Sequence, residues 1–205
     1  MSNTAKKIYE YRGVSDAVYA KVTKDDADGI TFGDVKEFTG VSEIARATES
    51  SNEAHYYDNV AAVIVNSTGS DEVTINSSAI PLDILAEITG QYYDEKTGMF
   101  VECERDPGYF AFGYKTKRTD GTEVYVWRLK GSFSIPDSTH ITEDDGTDAN
   151  GQEIVYTGIS TIHKFEKNGG KPAKAVNVDC GKDLVNVGTF FEAVQTPDSV
   201  KAKTE

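Results

Sequence analysis

The chain has little of what most functional classes require. It holds two cysteines in 205 residues, Cys103 and Cys180. A disulfide framework is therefore excluded, and two free thiols are expected. The longest uninterrupted apolar run is Val60–Val65, far short of the roughly 20 residues that a membrane-spanning helix needs. The opening residues MSNTAKKIYEYRG carry charge with no apolar stretch after them, so no secretory leader is read and a chain made and kept in a cytosol, with no membrane partner, is expected. Basic residues are also few. Lysine plus arginine number 21 against 34 aspartates and glutamates, a net charge of −13. Such a chain repels nucleic-acid phosphate rather than condensing on it.

Catalytic signatures are missing as well. There is no GxGxxG, GxSxG, HExxH or CxxC, and NGGKPAK lacks both the first glycine and the final serine or threonine of a phosphate loop. His55, His140 and His163 sit on separate segments without ligand spacing. Two acidic stretches suggest calcium at first sight. KDDADG would need an acid at Lys24, and EDDGTDANG would need one at Gly146 or Ile141, so neither fits the helix–loop–helix pattern. Residues 137–153 read as a solvated, flexible charged loop, with an irregular ion site as the alternative. No catalytic residue, metal ligand or cofactor site can be nominated, and an enzyme is not expected.

What is present is strand signal. YAKVT and ITFGDV flank the turn DDADG, and VSEIARATES alternates weakly. AAVIVN and DEVTIN flank STGS, which reads as a hairpin with a short loop. The period then changes in PLDILAEITG. Pro81 fits a first helical position, Leu85 and Ile88 share a face with Ile84, and Gly90 fits the position past the end. The clearest element is GYFAFGYKTKRTDGTEVYVWRLKGSF, two apolar runs around an Asp120–Gly121 turn. Its second run puts Tyr125, Trp127, Leu129, Phe133 and Ile135 on one face, and Phe110, Phe112 and Tyr114 line the first. These rings are expected in the core, packed near Leu85 and Ile88, rather than as an exposed sugar-stacking platform. IVYTGISTIHKF, AKAVNVDCG and VGTFFEAV read as later strands. The expected fold is mainly β and antiparallel, about eight strands or more with one helix. It is expected as a single domain over residues 1–205, with a flexible N-terminal arm of about residues 1–18 and a flexible tail of about residues 198–205.

The order of these segments, including ATESSNEAHYYDN, LAEITG and the aromatic hairpin closed by Ser134-Ile135-Pro136, resembles the major tail proteins of long-tailed, non-contractile bacteriophages of Gram-positive hosts (phi13 type). The resemblance spans about Tyr11 to Pro197. It implies a tail-tube fold, a β sandwich or half-barrel flanked by a helix, found in the virion after assembly in the host cytoplasm. It also implies six copies joined edge to edge in a ring, and rings stacked into a hollow conduit for the genome. The implied partners are further copies of the chain and the tape measure, tail terminator and distal tail proteins. Double-stranded DNA would pass through without specific binding, which an acidic wall favours. Glu43, Glu49 and Glu53 are candidates to face that channel, because the strand carrying them is weakly apolar. The competing readings are a monomeric carbohydrate-binding or adhesive β sandwich, and a terminator or baseplate ring of the same fold.

Overall fold

An extra residue in the aromatic hairpin decides how the sheet is built. The protein is described by a computed structural model over residues 8–143 and 150–203. In chain order the strands are β1 (Tyr11–Asp25), β2 (Ile30–Phe32), β3 (Lys36–Glu37), β4 (Val41–Tyr57) and β5 (Val60–Ser77). The helix α1 (Leu82–Thr89) follows, then the ribbon β6 (Tyr92–Asp94) and β7 (Met99–Val101). The hairpin β8 (Phe110–Arg118) and β9 (Glu123–Phe133) comes next, and β10 (Asp137–Ser138), β11 (Gln152–Gly158) and β12 (Ala175–Asp179) end the series.

One sheet runs β2-β1-β8-β9-β11-β5-β4, with β3 beside β1, β12 beside β9 and β10 beside β11. Every pairing in it is antiparallel. Among the described residues the fold is thus mainly β with one α-helix, as the alternation implied. The sheet curls until β1 and β4 approach, but they form no ladder, so it is not a closed barrel.

In the hairpin Phe110 pairs with Gly131 and Phe112 with Arg128, so Leu129 and Lys130 together oppose Ala111. Such a β-bulge reverses the alternation beyond it. Before the bulge, Tyr125, Trp127 and Leu129 face one side, while Val124 and Val126 face the other. After it, Phe133 joins the side of Val124 and Val126. The single aromatic face expected from the sequence is therefore split between two cores, and Ile135, expected with it, lies beyond the strand and is exposed.

The inner core gathers Phe110, Phe112, Phe133, Tyr19, Phe38, Val73, Ile75, Ile154 and Tyr156 inside the curl, with Leu85 and Ile88 of α1 against them. The outer core lies on the far side of the hairpin. There Trp127, Leu129, Ala111 and Val18 meet Phe165, Val178, Phe190 and Val194 of the C-terminal segment, and Tyr125 is half-buried at its rim. Trp127 donates its Nε1 hydrogen to Phe190 O at 3.1 Å. The tryptophan is thus fully buried as expected, but against the C-terminal layer and not beside α1.

Helix α1 is set by its ends. Pro81 stands one residue before the helix rather than inside it, with ψ 139. Gly90 closes it at φ 71, in the left-handed region that glycine occupies without strain. Arg105 then ties that end to β9, donating to Thr89 O at 3.1 Å and to Phe133 O at 2.6 Å. The other flank is held by Glu87, which accepts from Tyr19 Oη at 2.7 Å and from Lys36 Nζ at 2.8 Å. Burial pushes the Tyr19 hydroxyl pKa well up, and its bond to Glu87 adds to this.

Several segments differ from their reading. Residues 11–18, assigned to the N-terminal arm, belong to β1 and pair with β8. Residues 1–7 and 204–205 lie outside the described residues, as do 144–149 at the centre of the acidic loop. Residues 198–203, assigned to the tail, carry defined contacts. Asp198 accepts from the Glu166 and Lys167 amides at 3.1 and 2.8 Å, and Lys203 N donates to Leu184 O at 2.8 Å. VGTFFEAV forms turns rather than a strand, because Phe190 and Phe191 cap the outer core instead of joining a ladder.

The two cores give paired expectations. Trp127→Ala should cost about 3–5 kcal/mol in urea denaturation, the usual range for emptying a large aromatic site. Gly131→Ala should cost about 1–3 kcal/mol by overpacking, since its Cβ would sit 2.4 Å from Tyr156 Cζ and 2.5 Å from Thr157 O. Wild-type stability in either variant would contradict this packing.

Candidate functional site

Among the described residues, exposed large apolar side chains concentrate on β4 and β5. The first half of β4 and the second half of β5, nearest the rest of the sheet, face the inner core through Ile44, Val73 and Ile75. Beyond Glu49 on β4 and Ser70 on β5 the two strands continue alone, exposed on both faces. At about 3.3 Å per residue the ribbon extends on the order of 25 Å from the body. The tip is a two-residue turn. Asp58 and Asn59 have φ 50 and 64, the paired positive values of a type I′ hairpin. The turn that the sequence placed at STGS is absent. β5 runs unbroken through it, and a bulge at Gly69–Ser70 takes up the irregularity instead.

The ribbon is unusually apolar for an exposed element. Tyr56, Tyr57, Val60 and Ile64 are each 64% exposed or more, and Val63 and Val65 are 49% exposed. Pairing places Ala54 beside Ile64 on one face, and His55 beside Val63 on the other. A two-stranded ribbon is marginal by itself in water. One that is apolar on both faces is the kind of surface a partner covers. The outer edge of β4 is also unpaired along its length among the described residues, a free ladder open to strand addition.

Glu43, Glu49 and Glu53 share one face of β4, because the register shift between Thr48 and Ser50 puts its extra residue in β5 and leaves the alternation of β4 from Glu43 to Glu53 intact. All three are exposed, on the side turned away from the inner core. Glu43 accepts from Asn76 Nδ2 at 3.4 Å and Glu49 from Ser70 Oγ at 3.0 Å. Glu53 lies farther out on the ribbon, opposite Val65. The three are thus spread from body to arm rather than clustered.

The root of the arm carries a polar knot that the sequence did not single out. Asp71 is buried, its side chain 4% exposed, and accepts from Arg128 Nη1 at 2.7 Å, Lys174 Nζ at 3.1 Å and Thr48 Oγ1 at 3.0 Å. Lys174 also donates to Gly69 O, at the bulge itself. Burial pushes the Asp71 carboxyl up, but the hydrogen bonds from Lys174 and Thr48 and the charges of Lys174 and Arg128 outweigh it and hold it below the ordinary aspartate value. A second buried pair, Asp25–Lys130 at 2.7 Å, anchors the outer layer, where Asp25 also accepts from the Ile162 and His163 amides.

Among the described residues no group of three or more histidines, cysteines and acids is placed to hold a metal. No helix there is long and apolar enough to cross a membrane. Cys103 and Cys180 are free, as expected. The chain matches no protein-family model and no curated protein.

The knot has two measurable consequences. Asp71→Asn should cost about 3–5 kcal/mol, because it strands buried cations. In the wild type, the depressed carboxyl contributes stability that is fully present above the ordinary aspartate pKa of about 4. That contribution is lost as the pH falls through the lower folded value. Urea midpoints should therefore drop below about pH 4 in the wild type, and the drop should be smaller in the variant. An identical pH profile in both would contradict it.

Proposed function

We propose that the chain is a structural subunit that assembles with copies of itself into a tube, the tail tube of a long-tailed bacteriophage. Six copies would close a ring by joining sheet edges, and stacked rings would enclose a path for the genome. The observation that carries this reading is the β4–β5 arm. It holds an apolar ribbon clear of its own body and begins on a strand with an open edge. Both features are satisfied by further copies of the same chain, since heterologous contacts repeat into closed rings or open stacks. A mainly antiparallel sheet with one helix suits the resemblance described above. The net charge of −13 suits a conduit that must not hold passing phosphates. The exposed acids Glu43, Glu49 and Glu53 are available to line it. Tape measure, terminator and distal tail proteins would be its neighbours in the virion.

The sugar-platform reading loses its main support, because Trp127 is 0% exposed and Phe133 is 1% exposed. A terminator or baseplate ring of the same fold would differ in stopping at one ring.

Negative-stain microscopy of concentrated protein tests the proposal, with hexameric rings or tubes expected. Replacing Tyr56, Tyr57 and Ile64 together by serine should leave the melting temperature within a few degrees, because these side chains touch no core, yet abolish assembly. A protein that stays monomeric at high concentration with tail extract present, or an arm variant that assembles normally, would contradict it. Single rings without tubes would favour the terminator reading.

A further inference from the structure

The gap where β1 and β4 approach without pairing is a cavity of about 820 Å³. In a chain of net charge −13 its lining is cationic. Arg46, Arg118, Arg128 and Lys174 face it, against only Asp71 and Asp179. Arg118 is matched to Asp179 at 2.8 Å. The other three cations converge on one carboxylate, with Arg128, Lys174 and Arg46 lying 2.7, 3.1 and 3.9 Å from Asp71. One negative charge thus faces three positive ones, two of them hydrogen-bonded to it and Arg46 at ion-pair distance while its Nη1 donates to Thr48 Oγ1 at 2.7 Å.

Such crowding is costly where water is scarce. Arg128 is the extreme case. Its side chain is 7% exposed and its Nε has no hydrogen-bond partner. Arg46, by contrast, is half exposed at the opening and Lys174 partly so. The arrangement is a buried cation backed by two reachable ones, with Thr116 and Asn177 as further polar groups on the wall.

We propose that this cavity is an oxyanion site, which takes a phosphate or carboxylate group through the gap between β1 and β4. Arg46 and Lys174 hold the anion from the opening, and Arg128 supplies the buried positive charge beneath. Guanidinium groups suit this task because they offer paired N–H donors to planar oxyanions. Two sources can present that chemistry, free inorganic phosphate and a carboxylate side chain of a second copy of this chain. The inference stands on the cavity alone and does not depend on the tube reading.

The test uses the full chain in phosphate-free buffer. Thermal melting is followed against inorganic phosphate, with sodium chloride holding the ionic strength constant. A saturable rise in melting temperature is expected with phosphate and none with chloride. Arg46→Gln and Lys174→Gln should each raise the half-saturating phosphate concentration about tenfold, as loss of one charge-assisted bond does. Lys96→Gln, in the distant β6–β7 turn, should not. Arg46 is solvent-facing, so its variant keeps the test decisive if Lys174→Gln folds poorly. Absence of a saturable phosphate effect, or an unchanged one in Arg46→Gln, would overturn the site. Sedimentation then separates the sources. Phosphate and Arg46→Gln both weaken self-association if the ligand is a neighbour's carboxylate, and leave it unmoved if the ligand is the free ion.

Discussion

The bulge at Leu129–Lys130 is the constraint on which the rest of the structure depends. It puts Phe133 inside the curl while Trp127 stays outside, so one strand serves two cores. It also turns Gly131 toward β11, where the missing side chain lets Tyr156 lie against the backbone. The partner edge of β9 is divided as a result. Val124–Arg128 pair with β12, and Gly131–Phe133 pair with β11. The sheet bends at that fork and wraps the inner core rather than extending flat.

The same extra residue separates two cations that simple alternation would place together. Arg128 goes to Asp71 at the root of the arm, and Lys130 goes to Asp25 under the C-terminal layer. Both pairs are buried, so a register slip in β9 would strand a charge in each core. Sheet geometry, the covering layer and the base of the arm are in this way fixed by one strand. The arm can then be long and unsupported, because its root is clamped on the cross-strand side by Asp71 and Lys174.

Much of the fold was legible because its signals were local. The Asp120–Gly121 turn, the helix ending at Gly90 and the buried rings at Phe110, Phe112 and Trp127 all follow from patterns a few residues long. The split of the aromatic face was not legible. Trp127 to Phe133 alternates without interruption in the sequence, whereas the bulge is a feature of tertiary pairing, lying opposite Ala111 and beside the Gly131 backbone against which Tyr156 packs. The arm was hidden for a related reason. Ser67-Thr68-Gly69-Ser70 has turn composition, whereas the real turn, Asp58-Asn59, is a weaker signal made of two residues that tolerate the left-handed region. The strand also read as weakly apolar, because an exposed ribbon has no core face to alternate against. The knot around Asp71 joins residues more than a hundred positions apart, Asp71 with Lys174, a distance no motif spans.

On the reading proposed above, other copies of the chain cover the β4–β5 arm. Amide hydrogen exchange across residues 49–69, compared between dilute monomer and concentrated protein, tests it most directly. Fast exchange is expected in the monomer, since an isolated ribbon opens readily, with slowing by about tenfold or more on assembly. Exchange in the arm that is equally slow in both states, or that stays fast in assembled particles, would contradict it.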